Sequence, residues 1–139
     1  MPIRALFFDL DDTLLESHNA HQEAVRRSCR RAAELHSGWT EQQFLEAFFT
    51  AYRTLEVQIE SGQLQLDSHL LFRTRVWEEA LRQSGLDPAV GEELALSYLE
   101  ERRKRYQLYP EVPGLLDRLA PRYRLVLVTN GIGGMQREK

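Results

Sequence analysis

Two short apolar runs at opposite ends of the chain, each cut off by a polar cluster, constrain the fold more than anything between them. The first, Ile3-Arg4-Ala5-Leu6-Phe7-Phe8, is dense in β-formers and ends in Asp9-Leu10-Asp11-Asp12-Thr13. The second, Tyr123-Arg124-Leu125-Val126-Leu127-Val128, closes on Thr129-Asn130-Gly131. The sequence between them carries helical periodicity and hardly any strand signal. Two strands joined through helices lie parallel, so their C-terminal tips emerge at one edge of the sheet. In open α/β sheets that edge is where ligands bind. The expected fold is therefore α/β, a partial doubly wound parallel sheet with two strands present and an inserted α-helical bundle. Residues 1–15 and 110–139 would form the core, and residues 16–109 the inserted bundle.

Four helices account for the insertion. One covers Asn19 to about Leu35. A second begins at Glu41, because Thr40 with Gln43 fits a capping box and Trp39 with Phe44 fits a hydrophobic staple. Its Phe44, Phe48, Tyr52, Leu55 and Ile59 recur at spacings of three and four and make one apolar stripe. A third carries Leu70, Thr74, Trp77 and Leu81 and ends near Gly85, and Asp87-Pro88 supplies an N-cap and a favoured first residue for the fourth. Four helices in this span predict an antiparallel bundle. Pro110 to Gly114 then breaks the pattern, and Leu115, Leu116 and Leu119 mark a short helix leading into the second strand.

Composition excludes several classes. With 42% hydrophobic and 28% charged residues the chain is an ordinary globular protein. A net charge of −3 is too balanced to suggest a nucleic-acid or membrane surface. The basic run Arg102-Arg103-Lys104-Arg105 is offset by Glu92, Glu93, Glu100 and Glu101 and reads as a solvated helix face. The run from Ala5 to Phe8 is too short for a signal peptide or a membrane span. The single cysteine, Cys29, cannot form an internal disulfide and reads as a small core residue, which makes a reducing, cytoplasmic setting the expectation.

The chemistry gathers at the strand tips. Asp9 and Asp11 sit two apart where the chain leaves regular structure, so both can turn into one crevice and attract a hard cation such as Mg²⁺. A phosphate ester is the natural third party. Asp9 would attack phosphorus and Asp11 would protonate the departing alkoxide. The Thr129 hydroxyl, the Asn130 amide and the N–H groups near Gly131 are donors suited to phosphate oxygens. A calcium loop starting at Asp9 fails, because Leu14 and Ala20 stand where Gly and Glu are needed. A hairpin at Asn130-Gly131 lacks a returning strand pattern. His18 and His21 are three apart on a helix but have no third ligand, so solvent-facing or gating roles suit them better than metal binding. Arg26, Arg27 and Arg73 are candidates for contacting an anionic group of the substrate from the bundle.

Phe7-Phe8-Asp9-Leu10-Asp11-Asp12-Thr13-Leu14 closely resembles the first motif of the haloacid dehalogenase-like hydrolases, and Val128-Thr129-Asn130-Gly131 is similar to their second. The helical insertion sits where that family's first type of cap domain is found. The resemblance implies Asp9 as nucleophile and Mg²⁺ ligand, Asp11 as acid/base with its backbone carbonyl on Mg²⁺, and Thr129 as phosphate binder, with Asn130 and Gly131 beside it. An acid at position 11 favours phosphatase over dehalogenase chemistry, since an alkoxide needs a proton to leave and a halide does not. Phe72 to Ala80 and Gln136 to Lys139 further resemble stretches of sialic-acid-9-phosphate phosphatases and related sugar-phosphate or nucleotide phosphatases.

The family pattern also calls for a later lysine that neutralises the phosphoaspartate and an acidic motif that completes the metal shell. Neither is found, and Lys139 comes too early in the pattern for the lysine's role. The chain accordingly reads as C-terminally truncated and, unaided, weak or inactive. The expected function is Mg²⁺-dependent hydrolysis of a small phosphorylated metabolite, with self-association possible through an exposed sheet edge. The alternative is a non-catalytic remnant whose helices serve as an interaction module.

Overall fold

A computed structural model describes residues 2–131, 133–137 and 139. Met1 and Ile132, which fall in the expected core ranges, and Glu138, which falls in the last of the resembling stretches, lie outside the described residues. Strand β1 (Ala5–Phe8) pairs in parallel with β2 (Arg124–Leu127), Phe8 opposite Leu127. Both strands are shorter than the apolar runs that predict them. Backbone bonds from Arg124 N to Arg4 O (2.9 Å) and from Val128 N to Phe8 O (2.8 Å) continue the ladder at each end.

The insertion contains α1 (Ser17–Leu35), α2 (Glu41–Glu60), α3 (His69–Gln83) and α4 (Gly91–Arg103). Helix α1 packs on α2 and α4, and α3 packs on the same two, which closes a four-helix bundle. Its core is continuous, from Ala24, Val25 and Cys29 through Phe44, Phe48, Val76, Trp77 and Leu81 to Leu94 and Tyr98. The capping box on α2 forms as expected: Thr40 accepts from Gln43 N, and Gln43 reaches back to the Thr40 N–H. The Trp39 and Phe44 rings lie 5.2 Å apart, which completes the staple.

Three local expectations need correction. Helix α1 starts two residues early, at Ser17, because Asp12 caps it from a distance. Asp87 caps a 3-10 turn, Pro88–Val90, and α4 begins only at Gly91, where a Cβ would lie 2.8 Å from Glu78 Cγ on α3. The inward face of α3 is His69, Phe72, Arg73, Val76, Trp77, Ala80 and Leu81, whereas Leu70 and Thr74 are only half-buried.

The chain passes between sheet and bundle twice, and the two crossings run side by side. Glu16 N donates to Gln107 O (3.0 Å) and Tyr109 N to Leu14 O (3.1 Å). Helix α5 (Val112–Leu119) then leads into β2, and α6 (Gly133–Arg137) follows it. No described helix is long and apolar enough to cross a membrane.

Candidate active site

The parallel register carries Asp9, next after Phe8, and Thr129, two after Leu127, to the same edge of the sheet. Asp9 is exposed and its Oδ2 accepts a hydrogen bond from the Thr13 hydroxyl (3.2 Å). An open concavity of about 420 Å³ is lined by Phe7, Phe8, Asp9, Val128 and Asn130. The loop after β1 is tight, with the Leu10 carbonyl accepting from the N–H groups of Leu14 and Leu15 at 3.0 Å each. Asp12 takes the left-handed conformation this turn needs, with φ of +56°.

Beyond Thr129 the loop is organised by Gln136. Its Oε1 accepts from the Thr129 hydroxyl (3.0 Å) and its Nε2 donates to Asn130 O (2.7 Å). Gly131 has φ of +120°, and a Cβ there would lie 2.7 Å from Gln136 Nε2. Only glycine fits both the backbone and the contact. The sequence reading names Thr129, Asn130 and Gly131 but gives no hint that Gln136 ties them together.

Lys139 is a larger surprise. Set aside as too early in the chain, it tucks its side chain inward, 2% exposed, and donates to both carboxylate oxygens of Asp11 and, at 3.0 Å, to Gln136 Oε1. Burial pushes the Asp11 carboxyl up, but the Lys139 ammonium outweighs it and holds Asp11 below the usual carboxylate range.

A second cavity of about 310 Å³ connects this edge to the bundle. Asp11, Asn130, Gly131 and Lys139 line it from the sheet side, and His21, Tyr52, Arg73 and Arg102 from the bundle. Asn130 borders both cavities. Arg102 is buried, 7% exposed, which overturns the expectation that the whole basic run is a solvated face. Lys104 and Arg105 do lie outside, paired with Glu100 and Glu101. Arg73 faces the same cavity, whereas Arg26 and Arg27 line a separate groove with Glu23, Arg30 and Glu41.

The bundle wall is cationic and aromatic. Arg73, 3% exposed, donates from Nε to His69 Nε2 (3.2 Å), and Arg102 lies 3.3 Å from the same nitrogen. Both guanidiniums flank the Tyr98 ring, at 4.5 and 5.9 Å from its centroid. His21 Nδ1 meets the Tyr98 hydroxyl at 2.8 Å. Burial, reinforced by the two arginines, pushes His21 down to about 3 and His69 down to about 2. Both imidazoles are therefore neutral at pH 7. His18 bonds with Gln22 and lines the same cavity as His21, which is drawn inward to Tyr98 rather than facing solvent.

Among the described residues no cluster of three or more His, Cys, Asp or Glu is arranged for a metal ion. Asp9 and Asp11 nonetheless fit Mg²⁺ in kind. They are oxygen donors at an open edge, and Mg²⁺ commonly takes only one or two carboxylates, completing its shell with waters and substrate phosphate.

The haloacid dehalogenase-like hydrolase family model matches residues 3–137. The phosphoserine phosphatase of Thermus thermophilus is 31% identical over 159 residues, covering 99% of this chain and 61% of that protein. The N-acylneuraminate-9-phosphatase of Rattus norvegicus is 29% identical, covering 99% of this chain and 55% of its own length. The chain thus spans 55 to 61% of the length of these relatives. Among solved structures, the putative HAD-hydrolase YfnB from Bacillus subtilis superimposes with a TM-score of 0.67 at 24% identity, covering 99% of this chain and 58% of that one. A 2-haloacid dehalogenase from Pseudomonas syringae pv. Tomato DC3000 gives 0.60 at 27% identity, covering 98% and 59%. The chain belongs to the haloacid dehalogenase-like hydrolases.

Proposed function

We propose that this protein is a Mg²⁺-dependent phosphomonoester hydrolase that works through a phosphoaspartyl intermediate on Asp9. The observation that carries the reading is the parallel register of β1 and β2, which gathers Asp9, Asp11, Thr129 and Asn130 at one sheet edge beside a cavity. The relatives named as phosphatases, for phosphoserine and for N-acylneuraminate 9-phosphate, support a phosphate ester as substrate. The lone thiol, Cys29, buried in the bundle, fits a reducing compartment such as the cytoplasm.

In the forward step an Asp9 oxygen attacks phosphorus, the ester P–O bond breaks, and Asp11 gives its proton to the departing alkoxide. A water then attacks the acyl phosphate, Asp11 takes its proton, and inorganic phosphate leaves with the Asp9 carboxylate restored. Asp9 through its carboxylate and Asp11 through its backbone carbonyl would hold Mg²⁺, which when bound neutralises charge on the phosphate oxygens. Thr129, Asn130 and the Gly131 N–H hold those oxygens in line with Asp9.

One step has to be set up. Paired with Lys139, Asp11 is a carboxylate and has no proton to give. A bound phosphate competes for the Lys139 ammonium, and once that cation turns to phosphate, burial raises the Asp11 pKa and the carboxylate takes up from solvent the proton it then gives to the alkoxide.

Hydrolysis of p-nitrophenyl phosphate with Mg²⁺ tests the proposal. Asp9→Asn should lower the rate by at least about a thousandfold while leaving the circular dichroism spectrum unchanged. Hydrolysis that survives both this substitution and a chelator would remove the reading.

A further inference from the structure

The bundle wall of the second cavity holds two positive charges with no counter-charge. Arg73 and Arg102 are both more than nine-tenths buried, and among the described residues neither pairs with a carboxylate. Their polar neighbours include His69, held neutral, and the phenols of Tyr52, Tyr98 and Tyr106. Arg73 Nη1 and Arg102 Nε have no hydrogen-bond partner. Buried guanidiniums in native proteins are normally paired, because taking a lone ion out of water without a counter-charge is strongly unfavourable.

The arrangement is built by the whole bundle. His21 comes from α1, Tyr52 from α2, His69 and Arg73 from α3, and Tyr98 and Arg102 from α4. The aromatic faces hold the guanidinium planes at their flanks, and the Tyr52 hydroxyl is a neutral acceptor for Arg73, but none of these groups carries a negative charge. What such a pair lacks is an anion, and Arg recognises carboxylate and phosphate through paired N–H donors. The same cavity reaches Asp11 and Asn130, so a ligand held at the sheet edge extends toward the arginines.

Resting on the phosphatase reading of that edge, we infer that the substrate is a phosphomonoester of a hydroxy or amino acid, whose carboxylate is bound by Arg73 and Arg102 across the cavity from the reacting phosphate. The cavity of about 310 Å³ is at the small end of ligand cavities and shares Asn130 with the concavity beside Asp9. Neutral His69 and His21 leave the positive charge undivided between the two arginines.

Matched pairs of phosphate esters decide the matter: O-phosphoserine against O-phosphoethanolamine, and 3-phosphoglycerate against glycerol 3-phosphate. The acid of each pair should have the higher kcat/KM by about tenfold or more, carried by KM. The same preference should appear as tighter calorimetric binding to the Asp9→Asn protein, where turnover does not intervene. Arg73→Met and Arg102→Met should each shrink the preference, with circular dichroism checking the fold and Arg73→Lys, which keeps the charge, losing less. Equal handling of both members in the unsubstituted protein overturns the inference without any variant. So does a stronger preference for glucose 1,6-bisphosphate over glucose 6-phosphate than for either acid over its partner. If p-nitrophenyl phosphate is hydrolysed with Mg²⁺ but neither acid is hydrolysed or bound more tightly than its partner, the phosphatase reading stands and the inference falls; where no ester turns over, the binding preference alone decides whether the arginines take a carboxylate.

Discussion

Asp12 stands in the middle of the acidic motif yet works for the scaffold. Its Oδ1 accepts from Ser17 N (3.1 Å), Ser17 Oγ (3.4 Å) and His18 N (2.9 Å), which satisfies the first free N–H groups of α1. Glu16, at the formal cap position, makes no such bond from its side chain. Asp12 therefore couples the loop that holds Asp9 and Asp11 to the first helix of the bundle. Asp12→Ala should cost about 1–2 kcal/mol, as for other lost N-caps, with the positive φ adding to the strain of a residue that favours it less. Asp12→Asn keeps an acceptor and tolerates the same φ, so it should cost less. Urea midpoints for the two variants measure the difference, and equal midpoints would show that the cap contributes nothing.

At the scale of elements, the parts of the fold governed by local rules were legible in the sequence and those governed by tertiary charge were not. The capping box at Thr40 and Gln43 needs only four consecutive residues, and it formed as expected. The stripe on α3 was half misread because counting apolar spacings passes over His69 and Arg73, whose burial depends on α1, α2 and α4 closing around them. Arg102 was lost inside a basic run for the same reason. Among the candidate site residues, Asp9, Asp11 and Thr129 were visible because a strand end fixes where they emerge. Lys139 and Gln136 were not, because a loop with left-handed Gly131 folds them back. The buried histidines give this inner cluster a pH signature. Folded pKa values near 2 and 3 lie below the unfolded value of about 6.5, so the unfolded chain binds more protons in the interval between. Stability is then full above about pH 6.5 and falls as pH drops below it, with His69 contributing a slope of up to about 1.4 kcal/mol per pH unit. Urea unfolding at pH 7.5, 6 and 5 should show this loss before the carboxylates titrate, and His69→Gln should flatten it. Constant stability between pH 7.5 and 5 would mean that the imidazoles are not held neutral.

For the molecule as a whole, apolar burial is unevenly shared. Every member of the main core cluster belongs to the bundle, and no residue of β1 or β2 is buried. Phe7 is 70% exposed and Leu127 and Val128 are each 53% exposed, while Phe8, Leu10, Leu14, Leu116 and Leu125 border an apolar groove on the sheet. A two-stranded sheet is marginal by itself, and exposed strand edges invite pairing with another chain. Here the sheet is held by its ladder, by the paired crossings at Leu14–Glu16 and Gln107–Tyr109, and by the Lys139–Asp11 ion pair. Residues 1–139 expressed alone should therefore combine a cooperatively folded bundle with a sheet that opens more easily, binds an apolar dye and draws chains together as concentration rises. Sedimentation across a wide concentration range, with native-state hydrogen exchange alongside, separates the two halves. Fast exchange at the amides of β1 and β2, slow exchange in α1 to α4, and association weakened by Phe7→Glu are the expected pattern. A dye-silent monomer whose strand amides are as protected as those of the bundle would show that two short strands and one ion pair are enough to hold this edge closed.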